Sequence, residues 1–151
     1  MAPLRYWEDL EIGHTYPLGS TTLSEEAIIA FALQFDPQPF HVDRAAAEAS
    51  MFGGIIASGW HSCSAMMRLL ADNFLHPETS LGSPGLDEVR WPRPVRARDT
   101  ITVSLTVTGK RASASKPFMG LVFYDWTAVN QRGEPVVTIK GTNLIRRRPT
   151  G

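Results

Sequence analysis

A chain of 151 residues that is 43% hydrophobic and 20% charged has the composition of an ordinary globular protein, and a single domain over residues 1–151 is expected. Fifteen basic residues balance fifteen acidic ones, which excludes the global field that draws nucleic acid or an anionic membrane. The single cysteine, Cys63, excludes an intrachain disulfide and supplies no metal cluster.

The first nine residues are acidic and aromatic without the pattern of a signal peptide. The most apolar stretch, residues 55–75, carries His61, Arg68 and Asp72, which argues against a membrane span, so a cytoplasmic protein is expected. Thr22, Leu23, Ser24 and Glu25 have capping-box spacing, with Thr22 as cap and Glu25 reaching back. Ile28, Phe31, Ala32 and Phe35 then repeat at helical spacing and predict one buried face. Pro37 stops that helix and leaves Asp36 at its C-terminal end.

The segment Asp36-Pro37-Gln38-Pro39-Phe40-His41 is the most informative in the chain. Its two prolines predict a rigid extended loop that can aim a carboxylate and an imidazole at one water or substrate atom. A carboxylate and a histidine at one point form a minimal general acid–base device. Taken alone, the same two residues read first as a helix-ending cap and a surface histidine, since most such residues are structural.

Asp43 is expected to cap a short alanine-rich turn over residues 44–50. From Trp60 to Leu75, apolar residues occupy nearly every side of a predicted helix, the mark of a buried one. Gly82, Pro84 and Gly85 mark a loop before a short strand over residues 86–91, ended by Pro92 and Pro94. Residues 100–108 alternate apolar with Thr and Ser, residues 118–130 are β-branched and aromatic, and residues 131–134 form a hairpin turn before a strand over 136–146. Consecutive strands on short turns predict an antiparallel sheet curled round one long helix, class α+β.

These residues together resemble the MaoC-like dehydratases, the group of the (R)-specific enoyl-CoA hydratases, which have a hot-dog fold. The likeness starts at Tyr6-Trp7-Glu8-Asp9-Leu10-Glu11-Ile12-Gly13 and runs through Phe31-Ala32-Leu33-Gln34-Phe35-Asp36. It continues in Phe52-Gly53-Gly54-Ile55-Ile56-Ala57-Ser58-Gly59-Trp60 and in Arg90-Trp91-Pro92-Arg93-Pro94-Val95. The family's hydratase motif is Asp-x-Asn-Pro-hydrophobic-His; Asp36, Pro39, Phe40 and His41 match it, and Gln38 stands where the family usually has Asn.

The resemblance implies hydration of trans-2-enoyl-CoA, or dehydration of the (R)-3-hydroxy product, with Asp36 and His41 as a catalytic pair and a backbone N–H of Gly59 as oxyanion donor. A glycine at the start of a helix suits that role, since the first N–H groups lack internal partners; close helix packing also calls for one there. The resemblance further implies substrate contacts from Gln38, Phe40, Trp60 and Gly85. It implies no metal or cofactor, an acyl-CoA or acyl-carrier thioester as partner, and a homodimer or dimer of dimers. Met67 stands where some members carry a supporting serine. His61 is expected to be a partly buried helix residue, and residues 146–148 a solvated arginine tail. An acyl-CoA thioesterase and a non-catalytic acyl-thioester-binding subunit are the competing readings.

Overall fold

The strand patterns between residues 85 and 146 join an earlier strand, residues 15–22, in one antiparallel sheet. A computed structural model describes residues 2–150. Its strands are β1 (Thr15–Thr22), β2 (Gly85–Arg90), β3 (Thr100–Ala112), β4 (Met119–Val129) and β5 (Pro135–Arg146), in spatial order β1-β3-β4-β5-β2. Four α-helices precede β2: α1 (Glu25–Phe35), α2 (Pro39–Val42), α3 (Arg44–Ala49) and α4 (Gly59–Asn73).

Ile101, Val103, Leu105 and Val107 all point inward from β3 and are buried, while Thr102 and Thr106 between them lie outward. Val122, Tyr124, Trp126 and Ala128 do the same on β4. Met66 and Leu70 of α4 and Ile28 of α1 join the core cluster with this inner face, and α1 packs on α4 and α2. Each large apolar side chain so buried contributes about 1.5–3 kcal/mol. Asn73, at the end of α4, donates to the Leu18 carbonyl at 2.6 Å and ties the helix to β1.

Several local expectations change. Ser24, not Thr22, caps α1: its hydroxyl accepts from the Ala27 N–H at 3.1 Å, while the Thr22 hydroxyl pairs with that of Thr100 across the sheet. Glu25 reaches Arg44 rather than back to the cap. Phe35 is 64% exposed, so the buried face of α1 ends at Ala32. The long helix is not enclosed either, because Trp60 and Met67 are exposed on the side turned from the sheet. The stretch 36–41 is not a loop throughout: Pro39, with its φ already fixed, opens α2 at its first position. As expected, the Asp43 carboxylate caps α3 by accepting from the Ala46 N–H.

Arg146 at the end of β5 and the two arginines after it are paired rather than free, although Arg148 stays exposed as expected of a solvated tail. Arg147 and Arg148 pair with Glu8 and Asp9, and their guanidiniums lie over the rings of Trp7 and Tyr6. Arg146 donates to the Glu78 carbonyl at 3.2 Å. Among the described residues no helix is long and apolar enough to cross a membrane.

Candidate active site

The C-terminus of α1 and the single turn of α2 meet at one point. Asp36 ends α1, and its Oδ2 lies 3.3 Å from Nε2 of His41 on α2. The imidazole is buried and the carboxylate partly so. His41 Nδ1 lies 2.6 Å from the Ile56 carbonyl oxygen. A carbonyl only accepts, so Nδ1 carries a proton and, in the neutral ring, the Nε2 lone pair faces Asp36. Phe40 packs edge-on against the imidazole at 4.5 Å and backs it from behind.

Asp36 is held in turn. Gln38 Nε2 donates to Oδ1 at 2.7 Å, which leaves Oδ2 for the histidine. The Ser58 hydroxyl is fully buried beside the carboxylate, without a bond of good geometry to any described residue. Its polarity holds the Asp36 carboxyl below the ordinary range, helped by Gln38 and the nearby imidazole and opposed by burial. Asp36 is therefore a carboxylate at neutral pH. Sequence reading passed over Ser58, whose only signal was its place next to Gly59 ahead of the helix.

Gly59 begins α4. The N–H groups of His61 and Ser62 turn back to the Ser58 carbonyl, and those of Gly59 and Trp60 stand outside the helix's own bonding. Trp91 covers this glycine: a Cβ there would meet the indole at 2.5 Å. Close packing thus requires glycine here whether or not its N–H serves a substrate.

Asp36, Gln38, His41, Gly59 and Trp60 line one cavity of about 480 Å³. Its other walls include Phe52, Ser62, Trp91 and Arg93. The size and the apolar walls with a few convergent polar groups suit a small acyl ligand. Phe40 stands behind this wall. Gly85 lies apart from it, opening β2 with its N–H on the Ser83 hydroxyl at 3.2 Å. His61 also lies outside the wall, stacked on Phe31 at 4.8 Å, with Nδ1 buried among groups that offer no bond. Burial lowers its pKa from the ordinary value. Arg90 pairs with Glu88 at 2.9 Å and Arg93 with Glu134 at 3.1 Å. The Ser64 hydroxyl bonds back to the Trp60 carbonyl, as expected of a helical serine.

The chain is similar to known proteins in sequence and in fold. A curated relative named as an (R)-specific enoyl-CoA hydratase, from Rhodospirillum rubrum, is 34% identical over 111 residues, 70% of this chain and 72% of that protein. The crystal structure of a MaoC-like dehydratase from the same organism superposes with a TM-score of 0.89 at 38% identity, covering 97% of this chain and 99% of that one. A Mycobacterium tuberculosis protein described as a double hotdog fold superposes at 0.77 over 99% of this chain and 46% of that one; at 20% identity it supports the fold alone. Residues 10–122 match the family described as "MaoC like domain", and with the sheet-and-helix architecture above, the chain belongs to the MaoC-like dehydratases and has their hot-dog fold.

Proposed function

We propose that this protein adds water to trans-2-enoyl thioesters to give (R)-3-hydroxyacyl thioesters, and runs the reverse dehydration. The observation that carries the reading is the pairing of Asp36 Oδ2 with the lone-pair side of His41 Nε2 at 3.3 Å inside an apolar cavity. A water held beside these two acceptors can donate a hydrogen to either of them. As the water oxygen attacks the β-carbon, one of its protons passes to the pair. A proton then returns from the pair to the α-carbon on the same face, so that H and OH add across the double bond and the pair ends as it began. The two groups act together as base and acid, and neither is assigned the proton alone.

Between these events negative charge gathers on the thioester oxygen. The free N–H groups at the start of α4, with the positive end of the helix dipole behind them, are suited to receive it, and Gly59 is the donor of choice. The name of the Rhodospirillum rubrum relative, an (R)-specific enoyl-CoA hydratase, supports the (R) outcome and the CoA thioester. No cofactor enters the reaction read this way. A spectrophotometric assay of crotonyl-CoA tests it: loss of the enoyl absorbance with formation of the (R)-3-hydroxy product is expected. Hydrolysis of a saturated acyl-CoA, with no enoyl thioester of any length consumed, would replace this reading with a thioesterase.

The same reading includes a homodimer. β2 lies at one edge of the sheet, with backbone groups on its outer side unpaired and Leu86 46% exposed. Such an edge invites pairing with a second copy. Antiparallel pairing of two β2 strands would carry the Gly85 end of one copy toward the Trp91 end of the other, the route by which Gly85 would reach the substrate.

A further inference from the structure

We propose that Arg93 selects thioesters whose acyl chain ends in a second carboxylate; this rests on the reading of the cavity as an enoyl-thioester site. Among the described residues lining that cavity, Arg93 is the one lysine or arginine. It stands between Pro92 and Pro94, whose fixed φ angles hold its backbone in place.

Its present partner leaves it available. Glu134 Oε2 faces Arg93 at 3.1 Å, while Oε1 accepts from Arg132 at 2.8 Å and Asn130 at 3.0 Å. Glu134 therefore stays paired when Arg93 turns toward the cavity, and the arginine side chain is 56% exposed and free to turn. Asp36 lies in the same cavity and repels an acyl anion unless a cation answers it. A guanidinium answers a carboxylate with two parallel hydrogen bonds.

Reach decides which anion this is. The Trp91 indole lies on Gly59, and two chain steps of about 3.8 Å bring the Arg93 backbone within about 8 Å of that of Trp91. Arg93 and Gly59 line the same cavity of about 480 Å³, so a guanidinium turned into it can meet the far end of a short acyl chain whose thioester oxygen sits at Gly59.

Titration calorimetry with glutaryl-CoA and butyryl-CoA tests this, because the two share every carrier contact. Wild-type protein is expected to bind glutaryl-CoA at least about tenfold more tightly, a modest effect suited to a half-exposed ion pair. The ratio should fall toward one in Arg93→Met and persist in part in Arg93→Lys, with thermal midpoints confirming that both are folded. Equal affinities in the wild type, or an unchanged ratio in Arg93→Met, overturn the proposal. An equal weakening of both ligands in Arg93→Met, absent with butyryl-pantetheine, assigns Arg93 to the carrier phosphate and also overturns it. Crotonyl-CoA and glutaconyl-CoA turnover is measured alongside. Crotonyl-CoA hydration without a glutaryl preference sinks this inference alone, whereas the preference without hydration of either enoyl thioester sinks the enoyl reading alone.

Discussion

The Nε1–H of Trp91 donates to the Gly59 carbonyl at 3.1 Å, and the indole occupies the space that a side chain on that glycine would need. The segment after β2 and the start of α4 are thereby locked together at the point where the substrate oxygen is proposed to bind.

Gly59→Ala is accordingly expected to displace the indole, cost about 1–3 kcal/mol of stability, and misplace the helix start. Misplacement of that order lowers kcat/KM by about a hundredfold. Paired with Trp91→Ala it should cost less stability than the two single changes summed, because the ring it strikes is gone. Strict additivity in thermal denaturation would show that the contact is not the cause.

Asp36→Asn and His41→Ala should each lower turnover by at least about a hundredfold, the lower range for positioned acid–base groups, and leave the protein folded. The double variant should be little worse than either single one, since the pair acts as one device. Steady-state kinetics with circular dichroism as folding control checks this. Near-normal activity in Asp36→Asn ends the dyad, and an equal collapse in His61→Ala would move the chemistry to the other histidine.

His61 predicts a pH dependence of stability. Burial depresses its folded pKa below the ordinary 6.5, so the unfolded chain binds more protons than the native one in that window. Its favourable share is complete above about pH 6.5 and is lost as pH falls from there through the folded value. His61→Phe keeps a ring against Phe31 and removes the titration. The drop in melting midpoint between pH 7.5 and 5.5 should be smaller in the variant than in the wild type; equal drops refute the assignment.

Sedimentation at micromolar concentration should show the dimer proposed through the β2 edge. A stable monomer that still hydrates crotonyl-CoA would remove the second copy from the site.

Much of this was legible in the sequence, and the exceptions have physical causes. The inward alternation of Ile101, Val103, Leu105 and Val107 needs only period two, and β3 to β5 stand close to their expected positions. β1 was not read because Pro17 and Gly19 interrupt the pattern, and the register does shift between them. Thr22 lost the cap to Ser24 because its hydroxyl found Thr100 across the sheet, a partner far away in sequence. Residues 36–41 pointed to Asp36 and His41 through spacing and the family resemblance, and the structure sets the two side chains 3.3 Å apart. The Ile56 carbonyl that fixes the His41 tautomer is a backbone atom with no residue signature. The ion pairs of the arginine tail were not legible because Glu8 and Asp9, which hold it, lie at the other end of the chain.

The strand order has a consequence for how the molecule is made. β2 has one neighbour in the sheet, β5, and Gly85 pairs with Thr142 near the end of the chain. During synthesis β2 therefore leaves the ribosome well before its partner exists, with Leu86 and Val89 uncovered and its edge open on both sides. Closure depends on distant pairings, so the sheet is expected to assemble late and slowly, on the millisecond-to-second scale of such topologies.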